Sequence, residues 1–173
     1  NKNKHHKTIH KAFDTSIMEL ADDISYGVHD LEDVIALGLI TKDMWINEVV
    51  STIECHTENK IVSELNFYTE KLFSNSNKDR KHAISKLIGN FIPSISVNKK
   101  GVFETQILDL EVTLPHDTKI ILESLKAIVM HRVIKTPEVQ VLEYKGQLIV
   151  LKLFEVLRAN PERLLPRSAN STS

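Results

Sequence analysis

The 173-residue chain has a single cysteine, Cys55. A lone thiol excludes an internal disulfide and any multi-cysteine zinc site, and it suits a reducing compartment. No apolar run approaches the ~20 residues that a membrane-spanning helix needs, and nothing at the start resembles a secretory signal. The expectation is therefore a cytoplasmic protein with no membrane partner. Net charge is lacking as well, since 22 Lys and Arg stand against 23 Asp and Glu, a formal balance of −1. That balance argues against a globally basic nucleic-acid binder but is compatible with a local patch. Three familiar signatures of catalysis are also missing. There is no Gly-rich phosphate loop, no Gly-x-Ser-x-Gly elbow and no His-Glu-x-x-His zinc motif.

The most informative absence is local. Between Lys11 and Lys42 there is no Lys or Arg, while that interval holds seven carboxylates: Asp14, Glu19, Asp22, Asp23, Asp30, Glu32 and Asp33. At about 100° per residue the stretch from Ser16 to Leu37 reads as one amphipathic helix. Ile17, Leu20, Ala21, Ile24, Val28, Leu31 and Ile35 form its apolar stripe. Asp22, Tyr26 and Asp30, spaced four apart, line up along another side. Each pair of carboxylates four apart costs a helix roughly 0.2–0.5 kcal/mol unless a cation compensates. Such a concentration requires solvent, a metal ion or a basic partner. Gly27, beside Tyr26, lowers helix propensity by about 1 kcal/mol against Ala, which points to a close approach of something to the backbone there. Ser16, with Glu19 three residues on, has the pattern of a capping box, and Gly38 supplies a C-terminal stop.

The rest of the chain is mainly α. Helices are expected from about Lys42 to Cys55, Asn59 to Phe73, Asp79 to Ile92 (closed by Pro93) and Asp117 to Ile134. A last one runs from Glu138 to Ala159, where Gly146 and the β-branched residues leave a strand open. Ser94–Val97, a turn at Asn98-Lys99-Lys100-Gly101, and the chain from Val102 onward read as strand, turn, strand, with alternation from Leu108 to Val112. The fold class is a multi-helix bundle with one small β-hairpin around 94–113. Residues 1–15, with Lys2, Lys4, His5, His6, Lys7, His10 and Lys11, read as a basic loop or linker from a core upstream. Residues 16–166 form the helical portion, and 167–173 a disordered tail.

His29-Asp30 and His116-Asp117 are adjacent His-Asp pairs, but two-residue matches are common, and on a helix His29 points about 100° away from Asp30. A hard oxygen ligand such as an Asp on the acidic helix suits Mg²⁺ or Mn²⁺. One carboxylate does not make a site, so further ligands would have to come from outside the chain.

The segment from Phe13 to Asp33 resembles the deoxyguanosine triphosphate triphosphohydrolase family of HD-superfamily phosphohydrolases, whose helix has the form A-D-[DE]-I-x-Y-x-x-x-D-x-x-D. Ala21-Asp22-Asp23-Ile24, Tyr26, Asp30 and Asp33 stand in register with it. The resemblance implies that Asp22 is the last ligand of a divalent metal (Mg²⁺ or Mn²⁺), that Tyr26 packs against a deoxyribose, and that Asp30 hydrogen-bonds the 3′-hydroxyl. It implies hydrolysis of dGTP or another dNTP to a deoxynucleoside and intact triphosphate, a homo-oligomer, and an HD-domain-like C-terminal fragment inactive by itself. The family's upstream His, its His-Asp pair and its catalytic His and Glu are not found before residue 13, so no catalytic residue is assigned within the chain. Two other functions compete with this one. One is a non-catalytic regulatory module of the same descent. The other is a surface for a single-stranded DNA effector using Lys126, Arg132, Lys135 and Arg158.

Overall fold

A computed structural model describes residues 9–166, so the N-terminal basic run up to Lys7 and the 167–173 tail lie outside the described residues. The fold is mainly α with one small antiparallel sheet, as the pattern requires. The chain divides into two compact units, Asn1–Val133 and Ile134–Ser173.

The first unit opens with α1 (Phe13–Ser25), a π-helical turn (Tyr26–Asp30) and α2 (Leu31–Ala36). The expected cap at Ser16 is not used. The helix begins one turn earlier, behind Ala12, which makes no side-chain cap bond. The Ser16 hydroxyl instead donates to the Phe13 carbonyl (2.6 Å) and accepts the Val112 N–H (3.2 Å), tying α1 to a strand. At the other end Gly38 adopts φ 71° and donates to the Ile35 carbonyl, while Leu39 donates to the Val34 carbonyl. This left-handed glycine closes the helix as expected.

Next come α3 (Lys42–Trp45), a second π-helical turn (Ile46–Val50) and α4 (Ser51–Ile53). The single helix expected from Asn59 to Phe73 is two, α5 (Lys60–Ser63) and α6 (Leu65–Leu72), broken at Glu64 (φ −111°, ψ 15°). No Gly or Pro marks that break. The Glu64 carboxylate is turned to Lys86 at 2.9 Å, a long-range contact that local propensity does not encode. α7 (Asn77–Ser94) is capped by Ser76, which accepts the Asp79 N–H, and it carries Pro93 within its last turn.

The hairpin differs from its expectation in the middle. β1 (Ser96–Lys99) pairs antiparallel with β2 (Leu110–Thr113), Ser96 opposite Thr113 and Lys99 opposite Leu110. Residues from Val102 do not form a strand. The chain loops and makes one helical turn, α8 (Gln106–Asp109). The cause is Asp109, whose buried carboxylate accepts the N–H groups of Gly101 (3.1 Å), Val102 (2.7 Å) and Phe103 (2.9 Å). Donors aimed at one carboxylate are withdrawn from any ladder. The same bonds, those of Phe103 and Val102 foremost, hold the Asp109 carboxyl below the usual carboxylate range.

α9 (His116–Val129) is the central element, burying Thr118, Ile121, Leu122, Leu125, Ile128 and Val129, and it continues into a third π-helical turn, Met130–Ile134. It packs against both earlier π-helical turns. The first unit also buries Val28, Leu31, Trp45, Val49, Tyr68, Leu72, Leu87 and Phe91. The Trp45 indole N–H donates to Thr69 at 2.9 Å, so the largest core side chain has its polar atom satisfied.

The second unit is α10 (Pro137–Ala159) and α11 (Pro161–Leu164). The alternative between helix and strand is settled for helix, with Pro137 at the first turn, where its missing N–H costs nothing. None of the residues of α10 is buried.

Candidate functional site

The apolar stripe of the acidic helix divides in two. Ile24, Val28, Leu31 and Ile35 are buried, but Ile17 remains 43% exposed. Ile17, Leu20 and Ala21 line an open groove of about 300 Å³ with Ile88, Ile92 and Ile95. The stripe is thus fully buried only from Ile24 onward.

The charge deficit of the helix is compensated selectively. Lys11 pairs with Glu19, and Lys126 of α9 reaches Asp23 at 2.7 Å and Glu123 at 3.3 Å. Asp22 is exposed, and among the described residues neither Asp22 nor Asp30 has a cationic partner. The backbone N–H of Tyr26 donates to the carbonyls of Asp22 and Asp23, which sets Tyr26 one turn from Asp22. Burial raises the Tyr26 phenol above its ordinary pKa, with the Asp30 charge acting the same way and Lys126 opposing it. Burial likewise raises the Asp30 carboxyl, reinforced by Asp33 and opposed by His29. Asp30 is therefore close enough for its charge to act on the Tyr26 phenol.

Gly27 is where the approach occurs. A Cβ there would sit 2.8 Å from Leu122 Cδ1 and 3.2 Å from Lys126 Cγ, so a methyl group between this turn and α9 requires both side chains to shift. The remaining sequence candidates are not gathered into a site. His116 lies at the start of α9, and Asp117 accepts from Asn59 Nδ2 at 2.7 Å, the same amide reaching Thr118 at 3.0 Å. The Asn59 bond holds the Asp117 carboxyl low, and the Asn59 side-chain oxygen caps α5 through the Ile61 N–H. This cluster staples α5 to α9. Of the cations considered for DNA, Lys126 and Arg132 are paired with Asp23 and Glu48, respectively.

Among the described residues no group of three His, Cys, Asp or Glu side chains could hold a metal ion. Asp22 fits a hard divalent cation in kind, being an exposed carboxylate with no cationic partner, but it is one ligand. The residues that sequence reasoning missed are Asn59 and Asp109, whose partners lie far along the chain or in a loop. Lys126 was visible, but in a different role.

The family model of the phosphohydrolase-associated domain matches residues 112–172. A deoxyguanosinetriphosphate triphosphohydrolase-like protein of Shewanella baltica is 46% identical over 162 residues, covering 94% of this chain and 36% of the relative. The protein of the same description from Shewanella oneidensis is 46% identical over 162 residues, and that from Shewanella woodyi 42% over 163; each match covers 94% of this chain and 37% of the relative. Along the matched length the chain is similar to these dGTPase-like phosphohydrolases. It spans little more than a third of the length of the curated relatives it matches. The matched length takes in the acidic helix and α9 together, so the helix resemblance and the domain match describe one dGTPase-like segment.

Proposed function

We propose that this chain is part of a metal-dependent deoxynucleoside triphosphate triphosphohydrolase that converts dGTP and water to deoxyguanosine and triphosphate. The observation that carries the reading is the row Asp22, Tyr26, Asp30. Its two acids are left without cations while their neighbours Glu19 and Asp23 are paired, in a chain 46% identical to proteins described as dGTPase-like. Asp22 supplies one ligand to a divalent metal, Mg²⁺ or Mn²⁺. When bound, that metal lowers the pKa of water and polarises the α-phosphoryl group. The other ligands come from the length of the relatives that this chain does not span. Tyr26 lies against the deoxyribose, and the Asp30 carboxylate accepts the 3′-hydroxyl proton. A water oxygen bonds to the α-phosphorus, the bond to the 5′-oxygen breaks, and that oxygen leaves protonated on the deoxynucleoside.

The protein works in the cytoplasm as a homo-oligomer; the uncovered apolar residues of α10 support association. Ion pairing of Lys126 and Arg132 leaves less free charge for single-stranded DNA than the sequence suggested.

The test is triphosphate release from dGTP with Mn²⁺, by the 173-residue chain and by a version extended to the length of its relatives. Turnover is expected only in the extended protein, and Asp22→Ala should reduce it by at least about 100-fold. Turnover by the short chain alone would overturn the reading that its site is completed by other residues, and no turnover in the extended protein, or an unchanged rate in Asp22→Ala, would overturn the assignment.

A further inference from the structure

Lys126 touches the acidic helix on both sides of Tyr26. Its ammonium bonds Asp23, three residues before the tyrosine, at 2.7 Å. Its Cγ would lie 3.2 Å from a Cβ on Gly27, the residue after the tyrosine, so the lysine stem rests directly on that glycine. Glu123, one turn back on α9, holds the same ammonium at 3.3 Å. Burial works against the lysine charge, but the Asp23 and Glu123 carboxylates outweigh it and keep its pKa above the ordinary value. The charge is therefore permanent at neutral pH.

The segment that Lys126 grips is the π-helical turn Tyr26–Asp30. Such turns insert one residue into the helical ladder, are intrinsically marginal, and persist where surrounding packing holds them. Gly27, the weakest helix former in the turn, adds to that dependence. α9 packs on the turn through Leu122 on the glycine and Lys126 across it.

We propose that Lys126 is a positioning residue. It latches α9 to the acidic helix through Asp23 and the Gly27 backbone, and so sets the direction in which Tyr26 and Asp30 face a deoxynucleotide sugar. The latch itself is a matter of this chain's geometry; its consequence for the sugar rests on the function proposed above.

Two measurements separate those levels. In the 173-residue chain with ¹³C-labelled tyrosine, Lys126→Met keeps most of the stem and removes the charge. The Tyr26 ring signals and their contacts to the following turn should shift, the Tyr68 and Tyr144 signals should stay, and Lys126→Arg should restore the parent spectrum. Unmoved Tyr26 signals in a folded Lys126→Met protein would overturn the latch, whatever the chain's function. In the version extended to the length of its relatives, Lys126→Met should raise KM for dGTP by about 10- to 100-fold with little change in kcat, and Lys126→Arg should recover most of it. A KM that stays put while the Tyr26 signals move would overturn the positioning role. If the parent protein hydrolyses no dNTP, the function reading and the sugar-facing consequence fall together, and the spectral shift still decides the latch.

Discussion

Helices α9 and α10 are alike in apolar content and opposite in what they bury. In α9 the apolar residues Ile121, Leu122, Leu125, Ile128 and Val129 follow the i, i+1, i+4, i+7, i+8 pattern of one stripe, and every one is buried. In α10 Leu148, Ile149, Val150 and Leu151 are consecutive, so they point in all directions, and none is buried. A helix that is apolar all round is suited to cover on several sides. Periodicity therefore tells how a helix is to be covered, and packing tells whether it is.

The largest expected effect lies in that contrast. Leu125 is 1% exposed and Leu153 57%. Leu125→Ala should cost about 2–5 kcal/mol of stability in urea unfolding of the 173-residue chain. Leu153→Ala in the monomer should change it by less than about 0.5 kcal/mol. Comparable losses at the two positions would break the comparison.

Glycine substitutions sharpen it and should have opposite signs. Gly27→Ala forces a methyl group against Leu122 and Lys126, a strain of about 1–3 kcal/mol. Gly146 in α10 has nothing within 4 Å of a new Cβ. Gly146→Ala should therefore stabilise by about 0.4–1 kcal/mol by restricting the unfolded chain. Thermal unfolding of both variants checks the signs.

A similar contrast between satisfied and unsatisfied groups runs through the acids, with smaller effects. Asp109 is met by three backbone N–H groups that lower its pKa. Its contribution is present above its unfolded pKa, about 3.9, and is lost as pH falls through the lower folded value. Amide exchange at residues 101–103 should accelerate over that acidic range, and in Asp109→Ala it should be fast at every pH once corrected for intrinsic rates. Asp30 is raised by burial and by Asp33, so its ionisation opposes folding. The Asp30 contribution to stability is most favourable below its unfolded pKa and declines as pH rises through the folded one. Asp30→Asn should thus raise the melting temperature slightly at pH 7 and leave it unchanged near pH 3. A lower melting temperature at pH 7 would show that Asp30 has a stabilising partner.

Much of the fold was legible, because the helices of the first unit carry single stripes and one end carries a local signal, Gly38. The misread segments were decided by distant groups. Ser16 has the look of a cap, yet its hydroxyl bonds Val112, 96 residues away. Residues from Val102 read as a strand after the turn, yet Asp109 collects the N–H groups of Val102 and Phe103. At the break, the Glu64 carboxylate pairs with Lys86 on α7. At the candidate site the four-residue spacing of Asp22, Tyr26 and Asp30 and the oddity of Gly27 were visible, whereas the partner that comes to the glycine was not.

The sequence by itself determined the helical class, the acidic row and its lack of local cations, since spacing along one chain fixes which side chains share a helix face. Only the tertiary structure decided which acids are neutralised and which stay bare. Lys126 lies 103 residues from Asp23, and a pairing over that distance is set by how α9 packs on the Tyr26–Asp30 turn, which no local spacing encodes.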